Sequence, residues 1–153
     1  MENHAIRQRL LASLELAHAR SNLILYLIAT PVMILTVVLT SGHPEFWPAA
    51  VVLGLVMLLP IAMFYGWRII SIFRKEEHYW FCRCVLSQPH PGALRYTMYY
   101  TVLLEDPEGR KFPARTHAIF YSRGFIGPTI EDFTNKTVTI AYNRETGMVV
   151  VIG

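Results

Sequence analysis

The chain has 153 residues, of which 53% are hydrophobic and only 16% charged, and its mean hydropathy is +0.33. Soluble domains carry about 25% charged residues, so this composition excludes a disordered chain, a disulfide scaffold and an ordinary soluble domain. Residues 1–75 hold six Lys and Arg against three acids, whereas residues 76–153 hold eight of each sign. Because the second half is neutral, the charge distribution argues against a nucleic-acid binder and favours an integral membrane protein.

The first 22 residues predict an amphipathic cytosolic helix. Ile6, Leu10 and Leu14 recur every four residues and share one face, while the charged side chains lie mostly off that face. Two interpretations stay open. The helix either lies on the inner leaflet or offers a docking face to a partner, or it extends the first span and packs on its own protein.

Residues 23–75 predict a transmembrane helical hairpin. The segments 23–40 and 49–67 contain no charged side chain, and as helices each covers about 27–29 Å of hydrocarbon. We therefore expect spans at about 23–40 and 49–70. The connection between them is short and contains Gly42 and Pro44, so the two helices are expected to be antiparallel.

The basic residues set the predicted orientation. The loop between the spans has no Lys or Arg, whereas both flanks are basic. The positive-inside rule therefore predicts a multi-pass protein of the inner (plasma) membrane with both termini in the cytoplasm. After the second span, Arg68, Arg74 and Lys75 are expected to contact anionic lipid headgroups. The segments 23–40 and 49–67 contain no Asp, Glu, Lys, Arg or His, which argues against a transporter.

From residue 76 onward the hydrophobic period becomes that of strands. Alternation and turn residues predict five strands, at 79–87, 94–105, 111–120, 136–142 and 148–152. Residues 76–153 are therefore expected to form a small cytosolic five-stranded antiparallel β-barrel-like domain, SH3-like or OB-like.

A long connection before the last hairpin contains Phe125 and Ile126 between two glycines. These two side chains form either an exposed apolar tip that contacts the bilayer or a partner, or a plug that closes the end of the barrel. They are the candidate partner or membrane contact of the domain.

Cys82 and Cys84 lie two apart on one predicted strand and therefore point to the same side. A metal site would have to add His78, His90 or His117. Closed zinc sites usually draw paired ligands from turns or helices, so core packing of the two thiols is the favoured interpretation. Because the sequence carries no nucleophile elbow, Walker loop or zinc-protease motif, we expect no catalytic, cofactor-binding or metal residues and no enzymatic activity.

Several motifs follow the hairpin and its basic flank in a fixed order. They are Cys-Val-Leu-Ser at 84–87, Tyr-Thr-Val-Leu-Leu-Glu-Asp at 100–106 and Thr-Val-Thr-Ile-Ala-Tyr-Asn at 137–143. This order resembles a broad group of uncharacterised bacterial two-span membrane proteins, in which a small cytosolic β domain ends in a hairpin with a Val-x-Val-x-Tyr-Asn pattern. The resemblance implies the same architecture and carries no site residue over to this chain.

The leading expectation for function is a non-enzymatic accessory or scaffold protein that presents the β domain to a protein partner at the inner membrane. The alternative is a subunit of a homo-oligomeric pore or mechanosensitive channel-like assembly, because two helices alone cannot enclose an opening. A membrane-tethered metal enzyme that uses Cys82 is a third hypothesis. The expected partners are membrane lipids and either another protein or a second copy of the chain, and not nucleic acid.

Overall fold

A computed structural model describes residues 2–93, 97–106, 108–120 and 130–152. Residue contacts divide the chain into two compact units. The β unit comprises Met1–His18 together with Ser71–Gly153, and the hairpin unit comprises Ala19–Ile70. The hairpin unit is therefore an insertion in the sequence of the β unit, which is assembled from segments on both sides of it.

Helix α1 (Glu2–Leu11) belongs to the β unit, and it is followed by two long apolar helices, α2 (Leu14–Ser41) and α3 (Trp47–Phe73). A short 3-10 turn, Pro44–Phe46, precedes α3. Both long helices have the length and composition needed to span a membrane, and only 0% and 11% of their most apolar stretches are buried. The structure thus contains the two candidate membrane helices that the sequence predicts.

Within the hairpin unit, Gly54 allows α3 to approach α2 closely. A methyl group added at this glycine would collide with the side chain of Ile34 and press on that of Thr30. Small residues at such contacts are typical of helix pairs in lipid, where close van der Waals packing replaces the hydrophobic effect as the source of association.

Seven strands lie in the described part of the β unit, and they form two antiparallel sheets. The first sheet has the order β1-β6-β7. In the second, β3 pairs with β2 along one edge and with β4 and then β5 along the other, since Met98 pairs with both Pro91 and Ile119. The strands are β1 (Tyr79–Val85), β2 (Pro89–Pro91), β3 (Thr97–Glu105), β4 (Lys111–Arg115), β5 (Ile119–Phe120), β6 (Thr137–Asn143) and β7 (Val149–Ile152).

The prediction of a small antiparallel β domain is confirmed, but the prediction of a five-stranded SH3-like or OB-like barrel is wrong. Among the described strands, β1 pairs only with β6, so no ladder joins the two sheets into a closed barrel. The predicted strand 111–120 is also interrupted. At Thr116 the chain leaves the regular ladder, and its hydroxyl accepts a hydrogen bond from the Tyr100 N–H at 2.8 Å.

The two sheets share one apolar core that follows strand alternation. Every second residue of β3 from Tyr100 onward faces it, and β6 and β7 contribute their own alternating sets. Cys82 and Cys84 pack against this core from β1, as the two-residue spacing predicted. The buried residues of this core are Leu14, Leu86, Tyr100, Val102, Leu104, Val138, Ile140, Val149 and Val151.

The segment that connects α1 to α2 covers the outer edge of β7. Ser13 forms a bridge with Ile152, and the buried Glu15 carboxylate accepts a hydrogen bond from the Val151 N–H at 2.8 Å. Leu10 and Leu14 are almost completely buried beside this contact. The N-terminal segment thus packs on the β unit, and the predicted helix is interrupted at Ala12 and Ser13, between α1 and α2.

Asn143 joins the last hairpin to the chain that leaves α3. Its side chain is completely buried, and Nδ2 donates to the Lys75 carbonyl at 2.8 Å. Its Oδ1 accepts the N–H groups of Glu145 and Thr146 at 3.0 and 3.1 Å. Lys75 itself adopts the left-handed conformation with φ 57°. One amide side chain thus holds the β6–β7 turn against the segment between α3 and β1.

Substitution of Leu10 tests whether α1 is part of the β unit. Leu10 is 0% exposed, whereas its neighbour Leu11 is 51% exposed. Leu10→Ala should lower the stability of the β unit by about 2–5 kcal/mol, because it opens a cavity under the helix. Thermal unfolding of the full chain in a mild detergent measures this. Leu11→Ala is the matched control and should leave the midpoint almost unchanged, and equal effects of the two variants would contradict the packing.

Candidate functional site

The predicted contact residues Phe125 and Ile126 lie outside the described residues. Their part in a partner or membrane contact therefore stays a prediction.

The predicted headgroup contacts differ in their surroundings. Lys75 forms an ion pair with Glu145, and the same carboxylate lies 3.2 Å from His78 Nε2. The Lys75 charge is thus partly neutralised within the β unit. Arg74 is exposed directly after α3, and Arg68 is half-buried near the end of that helix. Contact of these three residues with lipid stays a prediction.

The two cysteines are poor candidates for nucleophiles. Burial raises the pKa of Cys82, and burial together with the neighbouring Cys82 raises the pKa of Cys84 from 9.0 to about 11. Both side chains therefore remain protonated thiols at neutral pH. No group of three or more His, Cys, Asp or Glu within the described ranges is placed to hold a metal ion.

A pocket of 320 Å³ lies on the β unit beside α1. The strand register explains its floor. Arg83 of β1 pairs with Thr139 of β6, which in turn pairs with Ile152 of β7. The three side chains form one row across the sheet. They alternate with residues that pack against the core, so the row lies on the opposite, outer face of this sheet.

Helix α1 supplies the wall of the pocket. The Arg9 guanidinium lies over the Phe81 ring, 5.0 Å from its centroid. Phe81 precedes Arg83 by two residues on β1 and therefore shares its face. Two arginines from distant parts of the chain thus meet at one pocket. Its lining consists of Arg9, Phe81, Cys82, Arg83, Thr139 and Ile152.

Sequence reasoning missed this pocket. The β1–β6 register that aligns Arg83 with Thr139 joins strands more than 50 residues apart, and no local pattern encodes it. The one local signal was the alternation of side chains along β1. Arg83 is a charged residue on the face of β1 opposite the cysteines, which marks it as a surface residue but says nothing about its neighbours.

The reactivity of Cys84 tests its burial. In a Cys82→Ser chain, alkylation of Cys84 by iodoacetamide should still be rising at pH 10, because its raised pKa keeps the thiolate scarce. At pH 8 it should react at least tenfold more slowly than an exposed cysteine, because burial, the larger cause of the raised pKa, persists without Cys82. The control is Thr146→Cys in a chain without Cys82 and Cys84, since Thr146 is exposed in the last turn. A rate for Cys84 that levels near pH 9, like the control, would contradict the burial.

Comparison of the chain with protein-family models, with curated proteins and with solved structures finds no match.

Proposed function

We propose that the protein is a non-enzymatic accessory or scaffold protein of the inner membrane, in which a transmembrane hairpin anchors the β unit and presents it to a protein partner in the cytoplasm. The observation that carries the proposal is the placement of the apolar hairpin as an insertion within the β unit. Both connections of the β unit to the rest of the described chain therefore run into candidate membrane helices, which is the connectivity of an anchored module.

The exposed surface of the hairpin unit supports the membrane location. Ile28, Leu39 and Met63 are 63%, 71% and 70% exposed, and many other large apolar side chains of α2 and α3 are similarly exposed. Apolar surface in water costs about 25 cal/mol for each Å², so helices of this length with such surfaces need lipid or another protein around them. The basic flanks and the absence of Lys and Arg from the connecting loop favour cytoplasmic termini.

The partner is proposed to contact the loop that contains Phe125 and Ile126. Two large apolar side chains flanked by glycines suit a small apolar contact at a loop tip. Membrane lipid is the other proposed neighbour, through its headgroup contacts with Arg68, Arg74 and Lys75.

Cysteine accessibility tests the proposed topology. In a chain without Cys82 and Cys84, a cysteine at His43 lies in the loop between α2 and α3, and one at Arg144 lies in the last turn of the β unit. A membrane-impermeant maleimide should label His43→Cys in intact cells and Arg144→Cys only after permeabilisation. The reverse labelling would place the β unit outside the cytoplasm and refute the proposal.

Photo-crosslinking tests the proposed partner contact. A photoreactive phenylalanine at position 125 or 126 should crosslink in cells to one other protein in a stoichiometric adduct. The matched control is the same group at Leu103, which is 62% exposed on β3 and should give no adduct. Native mass measurement in mild detergent determines the stoichiometry of the complex independently of the crosslink. A homogeneous ring of this chain alone would contradict the accessory function and favour the pore.

A further inference from the structure

The pocket on the outer face of the β1-β6-β7 sheet carries an excess of positive charge. Arg9 and Arg83 both line it, and none of its lining residues is acidic. The ion pairs found among the described residues involve neither arginine. The thiol of Cys82, the remaining titratable group of the lining, is held in its neutral form by burial. Two guanidinium groups therefore line one concave site, and no carboxylate from the described part of the chain lines it with them.

The Arg9 side chain and the backbone of Arg83 are positioned before any ligand arrives. Arg9 is held over the Phe81 ring by a cation–π contact at 5.0 Å. Arg83 is part of a regular ladder and stands opposite Thr139. Because part of the side-chain freedom of Arg9 is already lost, a ligand that bridges the two guanidinium groups pays less of the ordering cost of binding.

We propose that this pocket binds the phosphate group of a phosphate monoester. Such a group carries close to two negative charges at neutral pH and so balances both arginines, whereas a carboxylate or a phosphodiester leaves one charge uncompensated. Guanidinium groups bind phosphate oxygens through paired hydrogen bonds, and the Thr139 hydroxyl adds a further donor. The apolar side chains of Phe81 and Ile152 provide contacts for the organic part of the ligand.

The size of the pocket agrees with a ligand of this class. Its 320 Å³ lies at the lower end of the range of about 300–1,000 Å³ found for small-molecule sites. The same phosphate chemistry is available from a soluble monoester and from the headgroup of phosphatidic acid. The site belongs to the β unit alone, so the proposal depends on neither the protein partner nor the loop at 125–126.

Calorimetric titration of the full chain in a non-ionic detergent tests the proposal, with phenyl phosphate as the probe. Phenyl sulfate is the matched ligand control, because it has nearly the same shape but a single charge, and it should bind at least tenfold more weakly. Arg83→Gln should weaken the binding of phenyl phosphate by about 10–100-fold, since it removes charge-assisted hydrogen bonds. Arg9→Gln should do the same, and Arg83→Lys should lose less.

Arg144→Gln is the matched protein control. It removes one positive charge from the exposed last turn, outside the pocket, and should change the affinity less than twofold. Thermal unfolding of each variant shows that the fold is retained, since Arg9 and Arg83 are both exposed at the surface. Equal losses in Arg83→Gln and Arg144→Gln would show general charge attraction and overturn the site.

Nanodiscs distinguish the two sources of phosphate. If phosphatidic acid in the disc displaces phenyl phosphate from the wild-type chain, relative to discs of phosphatidylcholine alone, the natural ligand is the lipid headgroup. If it does not displace the probe, the ligand is soluble. Either result supports the phosphate site, whereas a dissociation constant weaker than about 1 mM for phenyl phosphate in both detergent and discs overturns it.

Discussion

The β unit depends on the contact between the N-terminal segment and β7. An unpaired strand edge exposes a row of N–H and C=O groups, which invite pairing with other chains unless they are covered. Here Ser13 and the Glu15 carboxylate occupy that edge, and Glu15 takes the place of a strand by accepting the Val151 N–H at 2.8 Å. A buried carboxylate is costly without hydrogen bonds, so this bond also makes the burial of Glu15 possible. Burial, and to a smaller extent the charge of Glu15, raises the pKa of Tyr79, which keeps that phenol neutral.

Strand alternation gives the first sheet two different faces. Its inner face packs against the second sheet through apolar side chains. Its outer face is buried at Tyr79, Ala141, Asn143 and Val150, but it becomes accessible at the row that contains Arg83 and Thr139. The pocket thus lies at the margin of the surface that the N-terminal segment covers. A β domain without that segment would lack Arg9 and would present a flat, singly charged patch instead of a concave site.

Local patterns predicted the elements well and their assembly poorly. The alternation at 94–105 identified β3, and the turn residues after the predicted strand 136–142 identified the last hairpin. Uncharged runs likewise indicated α2 and α3. The barrel was wrong because closure depends on which strands pair, and the β1–β6 ladder joins residues such as Cys84 and Val138 that no local signal connects. The same limit hid the meeting of Arg9 with Phe81.

The composite β unit also imposes an order on the folding of the protein. Glu15 and Val151 are 136 residues apart in the chain, and the whole hairpin is translated between them. Contacts of such long sequence separation form late, because the loop between them must first be closed. Because α2 and α3 precede β7 in the sequence, they leave the ribosome while the N-terminal segment still lacks its strand partner. Until β7 emerges, Leu10 and Leu14 have no completed core to enter, so a chaperone or the bilayer surface has a defined interval in which to hold them. The complete β unit can therefore form only after the hairpin has been translated.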